Sequence, residues 1–260
     1  MIAPPSIVSS TMAIARLSAK RVIRGRKLRV AAVAAFVVVL FPAVVALLES
    51  DAIAVDVVRG GIKWGFFRLL VFLLPILFAS GVIGEEVEGR TLHFLTMRPV
   101  NRGAIALGKF LVAAAASIAV LWAALLLMHV VSFATAPTQM IEQLGDTARA
   151  GGAASLLVVT YCGICLFWGS LVPEAGGMVS VIWLGFVEFF LGLMPGAVRF
   201  ASMSHFAQEL AGIERGGFFA EIVPDVELWI CGLVVAAVGL LFTTFGVLWV
   251  QLSELRYGKA

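Results

Sequence analysis

A single carboxylate, Glu188, stands inside the apolar run Val181 to Leu193. An ionisable group that faces lipid costs several kcal/mol, so this residue type requires a partner helix, a cavity or water, or is held protonated. Two uses fit it: a place on a substrate path or in a gate, or a structural hydrogen bond to another helix. The run ends at Pro195-Gly196, and Gly192 and Gly196 form a Gly-x-x-x-Gly spacing that permits close helix approach or an early break. A second carboxylate, Glu174, follows Pro173 in a tight turn. It suits either a small partner contact or simple solvation.

Three other patterns imitate chemistry. Gly103-Ala-Ile-Ala-Leu-Gly108-Lys109-Phe110 resembles a phosphate-cradling loop, but Phe110 stands where a hydroxyl would hold magnesium, and no buried strand precedes it. Cys162-Gly-Ile-Cys165 has redox or zinc spacing, yet it lies in an apolar run with no second pair nearby, so the thiols read as small apolar residues. His93, His129 and His205 share no ligand spacing, and no metal site is assigned.

The elements that must position these residues follow from composition. Across 260 residues, 61% are hydrophobic and 13% charged. With a mean hydropathy of +1.04, such a chain cannot cover a water-soluble core of this size. A soluble enzyme, a nucleic-acid-binding domain and a disordered protein are excluded. The net charge of +3 arises from 19 Lys and Arg nearly balanced by 16 Asp and Glu, so the placement of the charges matters more than their sum. Three cysteines make no disulfide framework.

A helix crossing roughly 30 Å of hydrocarbon needs about 20 apolar residues. Six stretches qualify: Leu28 to Leu48, Phe66 to Ile83, Ala104 to Phe133, Ala153 to Val172, Gly177 to Pro195 and Leu228 to Val250. They lack the apolar–polar alternation of membrane barrel strands, which leaves helices. The domain plan is a 1–27 N-terminal segment, a 28–250 transmembrane domain and a 251–260 tail. Thirteen of the 19 basic residues fall on one side: Arg16, Lys20, Arg21, Arg24, Arg26, Lys27 and Arg29 before or at the first span, Arg90, Arg98, Arg102 and Lys109 after the second, and Arg256 and Lys259 in the tail. The positive-inside rule then places both termini in the cytoplasm, in a multi-pass protein of the cytoplasmic membrane. The first 15 residues show no cleavable signal pattern, so the first run reads as a retained span.

Residues from about Thr11 to Lys27 form a basic helix with Ile14, Leu17 and Leu28 to one side, suited to anionic headgroups or serving only as topogenic charge. Outside, Ala197 to Glu227 reads as short amphipathic helices broken at Gly216-Gly217. Between the second and third spans, the segment from Gly84 to Arg98 reads as a capped amphipathic helix. Glu85, Glu86 and Glu88 open it, where the positive dipole end favours carboxylates; Arg98 closes it before Pro99 stops it. Val87, Thr91, Phe94 and Leu95 gather on one side, leaving Glu88, Arg90 and His93 for water or a partner. A short helix held between two spans is a stiff lever that a soluble motor can grip.

The run from Glu85 to Arg102, followed by Ile105-Ala106-Leu107-Gly108-Lys109-Phe110-Leu111, resembles the signature of type 2 ABC transporter permeases: an acidic pair, Gly, Thr-Leu, a Leu-rich turn, Pro-Val-Ser-Arg and a later Gly-Lys. It departs at His93 and at Asn101, where Ser is commoner. The layout is similar too: an all-α membrane protein with an N-terminal interfacial helix, six spans, a coupling helix at about 84–98 and a long outer segment between spans five and six. The resemblance implies a permease subunit of an exporter without catalytic residues of its own, working as a homodimer or heterodimer above two separate ATPase chains, which would hold ATP and magnesium. It carries the ATPase interface onto Glu85, Glu86, Glu88, Arg90, Thr91, Leu92, Phe94, Leu95 and Arg98, with Pro99 and Arg102 shaping the return into the third span. Two other functions compete. A proton-coupled secondary transporter using Glu188 would need inverted repeats and several intramembrane carboxylates; a membrane haem-handling protein would need paired His or acidic constellations. Neither pattern is found in the sequence.

Overall fold

The computed structural model describes residues 7–48, 51–81, 102–134, 136–192, 194, 196–213 and 226–252. Among these there is no strand. The chain begins with α1 (Ile7–Arg24) and α2 (Arg26–Leu48). Next, α3 (Asp51–Gly60) runs through a π-helical stretch, Gly61–Leu70, into α4 (Val71–Ala79). Then come α5 (Arg102–Ser132), the short α6 (Pro137–Glu142) and α7 (Leu144–Leu171). Finally, α8 (Gly176–Ile182) continues as a π-helical Trp183–Phe190, a 3-10 turn covers Gly196–Ala201, and α9 (Met203–Ala211) and α10 (Leu228–Leu252) follow.

Among the described residues, five helices are long and apolar enough to cross a membrane: Arg26–Val45, Val55–Ala79, Arg102–Ser132, Leu144–Leu171 and Leu228–Leu252. The expected fifth of six spans is present as the shorter apolar helix Gly176–Phe190. Two spans begin well before their expected starts. The second starts near Val55 rather than Phe66, because Arg59 and Lys63 interrupt the hydropathy of a helix they do not interrupt. The fourth reaches back to Leu144 rather than Ala153, past Asp146 and Arg149. These charges are accommodated at the helix ends: Arg59 Nη2 lies 3.7 Å from Asp146 Oδ2.

Small residues set the packing, as expected where lipid supplies no hydrophobic drive between helices. The central helix is α7, which touches α4, α5, α8, α9 and α10. At its crossing with α10, a Cβ on Gly239 would lie 2.7 Å from Thr160 Oγ1, and the Thr160 hydroxyl donates to the Val235 carbonyl at 3.0 Å. Leu157, Tyr161, Cys162 and Leu166 of α7 are fully enclosed. By contrast α10 turns Leu233, Leu240, Phe245 and Leu248 outward, the apolar surface that a bilayer would cover.

The N-terminal helix spans Ile7–Arg24 rather than 11–27, and it does more than lie on a surface. Ser10 and Thr11 are buried against α5, where a Cβ on Gly108 would approach the Thr11 carbonyl oxygen to 2.9 Å. Val8, Met12, Leu17 and Ile23 remain exposed. Gly25 breaks the helix, and a side chain there would press on the Arg21 carbonyl at 3.0 Å.

Candidate functional site

Glu188 is only 3% exposed although its helix shows a largely apolar exterior. The π-helical stretch that carries it turns the carboxylate inward, toward α7 and the start of α9. Tyr161 Oη donates to Glu188 Oε2 at 2.9 Å, and the Met203 backbone N–H donates to the same oxygen at 2.7 Å. Ser202 Oγ lies 3.1 Å from Oε2 and 2.8 Å from the Glu188 carbonyl oxygen, so its one proton is shared between them. Ser204 Oγ lies 2.7 Å from Ser202 Oγ, a hydroxyl pair in which either oxygen can donate. A carboxylate so surrounded satisfies several buried donors at once.

Gly192 makes the enclosure possible, since a Cβ there would fall 2.7 Å from Ser204 Oγ and 2.9 Å from Ser202 Oγ. Of the two uses its spacing allows, close approach and early break, the structure shows both: the helix ends at this glycine and a 3-10 turn follows. Peptide carbonyls at this end receive cations. Arg68 Nη2 lies 3.5 Å and Arg199 Nε 3.4 Å from the Gly192 carbonyl oxygen, while Arg68 Nη1 reaches Phe189 O at 3.4 Å. The Arg68 guanidinium also sits 5.6 Å from the Phe189 ring centre and 5.9 Å from that of Trp64, a cation–π arrangement. Phe72 completes the link, 5.2 Å from Tyr161 and edge-on to Phe189 at 5.7 Å. The two π-helical stretches are thus joined through Arg68 and Phe189.

The segment after Glu188 is less superficial than its composition suggests. Met203, Ser204, His205, Phe206, Ala207 and Ala211 are buried, and α9 packs on α7 and α10. It stops at Gly212, whose φ of +71° suits glycine, and Arg149 Nε donates to the last-turn carbonyl of Leu210 at 2.8 Å. A polar cavity of about 290 Å³ lies beside this end, lined by Asp56, Arg59, Lys63, Asp146 and Arg149 but not by Glu188. His129 is also structural: it is buried, bonded to Thr147 Oγ1 at 2.9 Å and to the Met140 carbonyl at 3.0 Å.

Glu85, Glu86, Glu88, Arg90, Thr91, Leu92, Phe94, Leu95, Arg98 and Pro99 lie outside the described residues, as do His93 and Gly216-Gly217. Arg102 opens α5 with its side chain exposed. Glu174 is exposed in the turn between α7 and α8. Cys162, Cys165 and Cys231 are buried free thiols. Sequence reasoning missed Tyr161, Ser202, Arg68 and Arg149. The signals were there: Tyr161 is one of two tyrosines in the chain and sits mid-span, and Arg68 is a cation inside an apolar stretch.

A bundle of long apolar helices, close-packed through glycines and outwardly greasy, defines a multi-pass membrane protein. The family described as ABC-2 family transporter protein matches residues 12–229, well over half of the chain, and the chain belongs to that family. It is therefore an ABC transporter permease subunit, a membrane component of such a transporter. No curated protein matches the chain closely enough to count as a relative.

Proposed function

We propose that this chain is the permease of an ATP-driven exporter, gripped through residues 84–98 by a separate ATPase that holds ATP and magnesium, and paired with a second permease copy or homologue. The observation that carries this reading is the family match over residues 12–229, which includes the acidic Glu85-to-Arg102 segment. The fold supports it mechanically. The helices on either side of that segment, α4 and α5, pack on each other, and α1 crosses the start of α5 at Gly108. Force applied between them moves a braced unit, as two-state switching of a transporter requires.

Within this reading Glu188 is a positioning residue. It ties the start of α9 to the π-helical stretch, so that the connection between the fifth and sixth spans moves with the fifth when the permease switches. The test is to co-express the chain with its genomic neighbours and purify it in mild detergent. Co-purification of a nucleotide-hydrolysing chain is expected, with ATPase activity stimulated by the permease. Glu86→Arg, at the opening of the coupling segment, should abolish stimulation and export while leaving membrane insertion intact. Unchanged stimulation and export in that variant would refute the coupling role.

A further inference from the structure

At the elbow between α1 and α2 is a cavity of about 270 Å³ whose described lining carries four cations, Arg21, Arg26, Lys27 and Lys109, and no carboxylate. Its remaining walls include Phe78 at the end of α4 and Val112 of α5. Charge and grease are thus set side by side at the end of the bundle where the spans begin. Lys27 and Lys109 have interactions of their own; Arg21 and Arg26 form no ion pair among the described residues. Gly25 produces the geometry, because the tight turn it permits brings Arg21 at the end of α1 and Arg26 at the start of α2 to one opening.

We propose that this cavity binds an anionic phospholipid, with its headgroup phosphate among Arg21, Arg26, Lys27 and Lys109 and an acyl chain against Phe78 and Val112. Guanidinium and ammonium groups hold phosphate oxygens by charge-assisted hydrogen bonds, and the apolar wall selects a phosphate that carries a tail. A lipid seated there touches α1, α2, α5 and the end of α4 together. It would tie the N-terminal helix to the two helices that flank residues 82–101. The site is independent of the ATPase reading, since it needs only a bilayer on that side.

The test uses the purified full chain in non-ionic detergent and native mass spectrometry. The probes are dioctanoyl phosphatidylglycerol, dioctanoyl phosphatidylcholine and inorganic phosphate. One phosphatidylglycerol should stay bound under activation that strips phosphatidylcholine. Arg26→Gln and Lys109→Gln should each lower the bound fraction about five-fold, and Arg16→Gln, which removes an equal charge outside the cavity, should leave it unchanged. Where Arg26→Gln fails to fold, Arg21→Gln at an exposed position reads the same loss. Equal retention of the two lipids, or an equal loss in Arg16→Gln, would overturn the site. Displacement of the lipid by inorganic phosphate at matched concentration would reassign it to a soluble anion.

Discussion

Tyr161 in the middle of α7 donates its phenolic proton to Glu188 Oε2 at 2.9 Å, joining the most enclosed helix of the bundle to a π-helical stretch that otherwise shows phenylalanines to the outside. Because the Met203 N–H and the Ser202 hydroxyl meet the same oxygen, the carboxylate orders three parts of the chain with one side chain. Glu188→Ala should therefore destabilise the protein by about 2 kcal/mol or more, as each orphaned buried donor costs roughly 1–3 kcal/mol. Glu188→Gln keeps an acceptor oxygen in place and should cost less than about 1 kcal/mol. Thermal unfolding in detergent reads both. Export should fall more with Glu188→Gln than with Glu174→Gln, since Glu174 is exposed in a turn. Equal, unaffected export by both would remove the functional role.

The sequence made the presence of this carboxylate conspicuous but left its partners hidden. Glu188 is visible because a charge in an apolar run violates the composition around it. Its donors come from α7 and from the 202–203 corner, where nothing about a serine or a peptide N–H is unusual until the helices are assembled. The same difference explains the span boundaries. Leu228–Leu252 and Arg102–Ser132 lie within two residues of their expected limits because hydropathy alone defines them. The second and fourth spans are longer than expected because Arg59, Asp146 and Arg149 find partners on neighbouring helices, which hydropathy cannot register.

Glycines at α10 offer a paired test of helix packing. A Cβ on Gly239 would lie 2.7 Å from Thr160 Oγ1 and 3.2 Å from the Thr160 Cα, a backbone atom that cannot swing away. Gly232 on the same helix has nothing within 4 Å of a Cβ. Gly239→Leu should separate α7 from α10 and cost about 1–3 kcal/mol or more as overpacking, whereas Gly232→Leu should be tolerated. Fluorescence-detected size exclusion after heating distinguishes them. Equal survival of the two variants would show that the α7–α10 crossing is not close-packed.

The end of α9 should behave as a coupled pair. Gly212→Ala places a side chain at a φ of +71° and within 3.0 Å of Arg149 Nη1, a strain of about 1 kcal/mol. Arg149→Gln loses the bond to the Leu210 carbonyl, worth about 1 kcal/mol. The double variant should be less destabilised than the sum, because removing the guanidinium also removes the atom that the new methyl group meets. Strict additivity in a double-mutant cycle would mean that Arg149 does not lie over Gly212 in the native protein.

The number of crossings can be decided by parity. If Gly176–Phe190 spans the bilayer, six crossings put the two ends of the chain on one side; five put them on opposite sides. Fifteen helical residues reach only about 22 Å at 1.5 Å per residue, short of the roughly 30 Å of hydrocarbon. Arg68 and Arg199 gather at the Gly192 carbonyl, at the end of this helix, and cations there can thin the local bilayer and draw the interface toward a short span. Six crossings are therefore expected, with both ends in the cytoplasm as the basic residues of the connections require. Single cysteines at Arg16 and Lys259 should both react with a membrane-impermeant maleimide only after the cells are opened. The native thiols give little background, since Cys162, Cys165 and Cys231 are 0% exposed. Labelling of Lys259→Cys in intact cells, with Arg16→Cys protected, would leave Gly176–Phe190 as a helix that enters the membrane without crossing it.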